Sequence, residues 1–216
     1  MKYFIALLAI ILIAASLLFS RDNEPGNDAP VTGLPWQINI LQDGSTEVFG
    51  ITLGQTTFGE TLELHGDDLQ LAIIAAPQEA GTLEAYYSRY SAGPITGKLL
   101  LILDVAPDVL ASLRERAFQE GGMRRYRLHP DDMPVAYQAP VKIINFLPSF
   151  RLDEDIAQNR FGTPAEIIQI GTGEKHLLYP EKGLDLILNT EGKDVLQYLP
   201  PQDLHRHRKL LQAQAE

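Results

Sequence analysis

The chain has 216 residues, with 28 acidic side chains against 18 basic ones and a formal net charge of −10. That balance argues against a nucleic-acid-binding protein and against adsorption to anionic lipid, since both need a cationic surface. There is no cysteine, which excludes disulfides, thiolate metal sites and thiol nucleophiles together, while a hydrophobic fraction of 45% is that of a folded chain of one or two domains.

Tyr3 to Phe19 is an uncharged apolar run, with Lys2 before it and Arg21, Asp22, Glu24 and Asp28 after it. As a helix it is about 26 Å long, near the low end for crossing a bilayer. It is apolar on every face, which disfavours a buried core helix. Residues 1–20 are expected to be an uncleaved signal anchor with the positive end in the cytoplasm. The alternative is a cleaved signal peptide. Ala14-Ala15-Ser16 supply small residues for it, but Leu17-Leu18-Phe19 follow them. Both readings place the bulk of the chain outside the cytoplasm. Residues 21–35, with three prolines, read as a solvated linker.

Residues 36–122 are expected to form a first α+β unit. Trp36–Leu41 and Glu47–Thr52 flank Asp43-Gly44, a hairpin signal, and Trp36 reads as a core plug. Thr57 and Glu60 fit a capping box for a helix over Phe58–His65, ended by Gly66. Strands follow at Leu69–Ala75, Leu83–Tyr90 and Lys98–Asp104. A helix over Pro107–Glu120 carries Val109, Leu110, Leu113 and Ala117 on one face.

Residues 123–200 form the second unit. Arg124–His129 and Val135–Phe146 read as strands joined by a turn at His129-Pro130-Asp131-Asp132. The prolines of the second strand place it at an edge or a bulge. Asp153 caps a helix over Glu154–Phe161, and Gly162 and Pro164 end it. An antiparallel meander follows: Glu166–Ile170, Lys175–Tyr179, Leu184–Leu188 and Asp194–Tyr198. The segment Gly97–Asp104 matches Lys182–Asn189, which suggests two tandem helix-plus-meander repeats. Residues 201–216 read as a polar helix, a loosely docked or protruding tail. The expected class is therefore α+β: an N-terminal membrane helix, then mostly antiparallel sheet with short helices packed on it.

The helix ending in Phe161-Gly162-Thr163-Pro164, the meander after it and the terminal Val195-Leu196-Gln197-Tyr198 carry a resemblance. The pattern resembles the SmpA/OmlA (BamE-like) envelope domain. At the level of the half-chain it also resembles the β-lactamase inhibitor protein fold of tandem helix-plus-meander units. The resemblance covers about a quarter of the chain well. It implies a non-catalytic module that binds another envelope protein. The lipidated cysteine that anchors BamE-like lipoproteins is absent here.

Five histidines are the natural candidates for chemistry. His205 and His207 are two apart on a helix and face different sides, so they do not chelate one metal together. With Arg206, Arg208 and Lys209 they form a basic patch, read as a solvated helix end or as a dock for an acidic partner or phospholipid headgroups. His129 beside Asp131 and Asp132 reads as a surface turn, His176 as a half-buried strand residue, and His65 as a helix-terminal cation. No nucleophile elbow, zinc-protease helix, Walker loop or dinucleotide fingerprint is present. No catalytic residue, cofactor, metal or small-molecule ligand is therefore expected.

Two functions compete. The first is a membrane-tethered, non-catalytic binding or assembly module of the bacterial cell envelope. It is anchored through residues 3–19, and its sheet presents Tyr86, Tyr87, Tyr90, Tyr179 and Tyr198 to a protein partner. The alternative is an exported hydrolase that gathers histidines and carboxylates from distant segments.

Overall fold

Two capped helices set the frame of the molecule. In a computed structural model, which describes residues 31–76, 79–120 and 124–215, Thr57 closes a capping box ahead of α1 (Phe58–His65). The Glu60 amide donates to Thr57 Oγ1 and the Thr57 amide donates to Glu60 Oε2. Gly66 ends α1 at φ 78°, a conformation that favours glycine. The anchor expected over residues 3–19 and the linker up to residue 30 lie outside the described residues. Among those described, no helix is long and apolar enough to cross a membrane.

Thr32–Glu216 form one unit, α+β in class and dominated by antiparallel sheet. A small sheet joins β1 (Asn39–Ile40), β2 (Thr46–Val48) and β3 (Ile51–Thr52). The large sheet has ten strands: β4 (Gln70–Ile74), β5 (Thr82–Ala92), β6 (Ile95–Leu103), β7 (Phe118–Glu120), β8 (Arg125–Arg127), β9 (Val141–Pro148), β10 (Glu166–Ile170), β11 (Glu174–Tyr179), β12 (Leu184–Asn189) and β13 (Val195–Tyr198). Their order is β10-β11-β12-β13-β9-β6-β5-β4-β8-β7. The remaining helices are α2 (Pro107–Arg116), α3 (Met133–Gln138), α4 (Glu154–Phe161) and α5 (Pro201–Ala215).

Alternation along the strands divides the side chains between two faces. Leu83, Leu99, Leu101, Ile144, Phe146, Leu177, Leu186 and Tyr198 point to one face and are buried under Phe58, Leu110, Leu113, Ala136, Ala157 and Phe161 of α1 to α4. On the other face a separate small cluster of Ile168, Leu178 and Leu211 packs α5 against β10 and β11.

The pairing is two-fold symmetric about one rung. Asn145 of β9 pairs with Gln197 of β13, and Gln197 Nε2 donates to Asn145 Oδ1 at 2.9 Å. Outward on one side the rung continues to Leu100, Tyr86 and Gln70. On the other it continues to Asp185, Leu178 and Glu166. The helix ends match as well. Tyr87 on β5 donates its hydroxyl to the carbonyl of Gly66 at 2.9 Å, and Tyr179 on β11 donates to that of Gly162 at 3.1 Å.

Four expectations need correction. The helix from Pro107 stops at Arg116, and Phe118–Glu120 becomes β7, because Phe118 gains a stack on His129 at 5.6 Å and the Arg127 guanidinium over its ring at 4.9 Å. Met133–Gln138 is helical, not strand. His129 Nδ1 accepts the Asp131 amide at 3.3 Å to start a 3-10 turn, and Pro134, at the first turn of α3, suits a helix start. Glu47–Thr52 is a second tight hairpin, broken where Phe49 and Gly50 take φ 56° and 75°. The C-terminal helix is no loose tail. Leu204 and Leu211 are buried, Arg208 pairs with Glu166, and Gln212 Nε2 donates to Glu166 Oε1 at 2.9 Å.

Candidate functional site

Among the described residues, the seam under α5 brings together buried His176 and Asp185. On β11, His176 shares the outer face with Leu178. On β12, Asp185 shares it with Ile187, because the register sets Leu178 opposite Asp185 and His176 opposite Ile187. The helix α5 presents Leu204 and Leu211 to this face, and His207 lies between them at helical spacing. His207 Nε2 donates to Asp185 Oδ2 at 2.7 Å, and His176 Nδ1 donates to the same oxygen at 2.7 Å. The second nitrogen of His176, Nε2, lies 2.8 Å from Glu174 Oε1, and Asn189 Nδ2 donates to Glu174 Oε2 at 3.2 Å.

Asp185 is 0% exposed, His176 3% and His207 24%. Burial pulls His176 toward the neutral form. The hydrogen bonds and negative charges of Asp185 and Glu174 outweigh it and raise the pKa above the ordinary 6.5. A carboxylate at each ring nitrogen favours an N–H on both. Asp185 Oδ1 is buried and has no hydrogen-bond partner among the described residues. An orphaned oxygen of this kind costs on the order of 1–3 kcal/mol or more.

The expected interface residues divide. Tyr87, Tyr179 and Tyr198 are buried in the core at 2%, 4% and 0% exposure, so these three rings are withdrawn from any partner surface. Two latch helix ends, and Tyr198 donates to the Pro35 carbonyl at 2.8 Å. Desolvation pushes the Tyr87 hydroxyl up to about 12 and raises that of Tyr198 well above its ordinary value. Tyr90 is half-buried among Phe49, Phe146 and His65. Tyr86 alone lies on the outer face, beneath the Lys98 ammonium at 6.0 Å. On the same face of the sheet Leu100, Ile102, Ile143, Leu147 and Val195 are partly exposed.

Of the other histidines, His65 holds the left-handed Phe49 by donating from Nε2 to its carbonyl at 2.9 Å. His129 caps a turn, and His205 is exposed. A cleft of about 600 Å³ is lined by Arg151, Asp153, Lys175, Asn189 and Asp194 among others, and takes in none of His176, Asp185 or His207. Arg151 there clasps the carbonyls of Asn189, Gly192 and Thr190 and pairs with buried Asp194, which is a structural task.

The His176–Asp185–His207 grouping is hidden from a single sequence, because the partners of His207 lie across a seam and not on its own helix beside His205. The local signal for it is the spacing of Leu204, His207 and Leu211, which puts His207 on the apolar face. No family model, no curated protein and no solved structure matches this chain.

Proposed function

We propose that the chain is a non-catalytic binding module of the bacterial cell envelope. It is tethered by residues 3–19, with its soluble domain outside the cytoplasm. It is built from two tandem helix-plus-meander repeats, a reading that the two-fold register about Asn145–Gln197 and the paired tyrosine latches support. One observation carries the binding role. The outer face of the second half is covered by α5, while the equivalent face of the first half leaves Tyr86, Leu100, Ile102 and Ile143 partly exposed among the described residues. The partner that fits is a protein offering an amphipathic helix, seated over β5 and β6, one strand nearer the centre of the sheet than α5 on β10 and β11. Glu84 and Lys98 at the margins would pair with charges on its polar edges.

The hydrolase alternative is weaker. Its histidines and carboxylates do converge, but at a helix-covered seam rather than in a cleft, and no serine or threonine hydroxyl hydrogen-bonds the cluster in the described contacts. The test is photocrosslinking in intact cells from a reactive residue at position 100, with one at exposed Leu64 on α1 as control. The module reading expects one envelope protein captured from position 100, lost in Ile102→Asp with unchanged circular dichroism. Equal capture from both positions, or none from position 100, overturns it.

A further inference from the structure

We infer that His176, Asp185 and His207 form a binding site for a first-row divalent transition metal, zinc above all, which staples α5 to the sheet. This reverses the expectation that the chain holds no metal. Their donor atoms lie within 4.8 Å of one another. Donors bound to one zinc at 2.0–2.2 Å stand about 3.3 Å apart in a tetrahedron. The observed 2.7 Å nitrogen–oxygen contacts need to open by a fraction of an ångström, and a seam between a helix and a sheet edge permits that. Two imidazoles and one carboxylate select zinc, copper or nickel over magnesium and calcium, which prefer oxygen alone.

Two further observations point to a ligand rather than to a plain hydrogen-bonded triad. Asp185 Oδ1 is buried without a partner, because both imidazoles contact Oδ2, so the carboxylate keeps an unused acceptor oxygen that a cation bound by Asp185 can engage. His176 is also already held from behind. With Nδ1 turned to the site, Nε2–H donates to Glu174, which Asn189 fixes in turn. A metal-bound histidine usually has such a carboxylate on its far nitrogen, where it sets the tautomer and ring orientation. On binding, the ion takes the place of the Nδ1 proton of His176, which leaves to solvent, and His207 binds through Nε2 with its proton on Nδ1. Three protein ligands leave a fourth position for water or a partner's side chain on the partly exposed His207 side.

The test uses the full chain, stripped with a chelator and titrated with Co(II). The site predicts one cobalt per chain with the intense visible bands of four-coordinate geometry, displaced by zinc. His207→Gln keeps a donor for Asp185 but loses the imidazole, and should lose the bands. His205→Ala, on the exposed side of the same helix, should keep them. Zinc should slow amide exchange across residues 201–215 in the wild type and not in His207→Gln. X-ray absorption at the zinc edge of the wild-type protein, which needs no variant, should show two imidazoles in the first shell. The site is overturned by wild-type protein without four-coordinate bands, by bands that persist in His207→Gln or vanish in His205→Ala, or by a zinc shell without imidazole.

Discussion

The two halves of the large sheet share a frame and differ in what they do with their outer faces. On the core side the positions correspond closely. Tyr87 and Tyr179 latch α1 and α4 and pair with Leu99 and Leu184. Leu101 and Leu186 lie two residues further on, both fully buried. Phe146 and Tyr198 close each half at the centre. On the outer side the same register sets Gln70 against Glu166, Ala72 against Ile168, Glu84 against His176 and Leu100 against Asp185. The core side is held by close packing, where a change of one methylene is felt. The outer side carries no such constraint across the halves, and in the second half it bears a covering helix and buried ionisable groups together.

The heaviest blow to the shared frame is to remove equivalent core leucines. Leu101→Ala and Leu186→Ala should each cost about 2–5 kcal/mol, as cavity-forming substitutions do. The sheet is continuous through β9 and β13, so each variant should lower the midpoint of one cooperative unfolding transition in urea, followed by tryptophan fluorescence and by circular dichroism together. Two separated transitions would mean that the halves fold independently, and the comparison would then describe two domains.

The latches come next in size. Tyr87→Phe and Tyr179→Phe each leave a glycine carbonyl without its donor while keeping the ring in place. Each should cost about 1 kcal/mol, and the double variant should cost about the sum, because the latches sit in opposite halves and share no contact. A latch variant with wild-type stability in urea would remove that half's helix end from the shared frame.

The frame was legible because it is written in local signals. Thr57 with Glu60, Asp153 with Gly162 and the alternation of β10 to β12 each act over a few residues, and each is found where spacing put it. The failures came where tertiary contacts overrode a local rule. Pro134 broke an apparent strand because proline is also suited to a helix start, and Phe118 left its helix for a stack with His129 that no local pattern announces. The candidate site was less legible still. His176 and Asp185 are nine residues apart on neighbouring strands, and His207 arrives from a helix 22 residues beyond Asp185. A single sequence shows each of them as an isolated polar residue. The tyrosines misled for a related reason: alternation shows that half of a strand's side chains point inward, and identity alone does not show which half.

A smaller test bears on why α5 covers one half. Glu166 takes the hydrogen bonds of Arg208 and Gln212, and the Arg208 bond in particular lowers its pKa below the ordinary 4.5 despite some desolvation. A carboxylate with a depressed folded pKa adds stability above its unfolded pKa, and that contribution is lost as pH falls through the folded value. Amide exchange in residues 201–215 should therefore quicken as pH drops below about 4.5, relative to the rest of the sheet. In Glu166→Gln, which resembles Gln70 in the other half, α5 should already be looser at neutral pH and should show a weaker pH response. An unchanged response would assign the docking of α5 to Leu204, Leu211 and His207 instead.

The finest distinction lies between half-buried His65 in the first half and buried His176 in the second. His65 in the first half is desolvated and faces one carbonyl, so its pKa is lowered from 6.5 although the Phe49 carbonyl pulls the other way. Its contribution to stability is present above pH 6.5 and is lost as pH falls through the lowered value. His176 in the second half is also desolvated, but two carboxylates win and its pKa is raised. Its contribution is present below pH 6.5 and is lost as pH rises through the raised value. In chelator-treated protein the two imidazoles should therefore titrate on opposite sides of 6.5, read from their ring proton shifts by NMR. Glu174→Gln removes one of the two charges on His176, and should move that titration down while leaving His65 in place. If both histidines titrated on the same side, the seam under α5 would not be electrostatically distinct from the rest of the core, and the difference between the halves would reduce to packing.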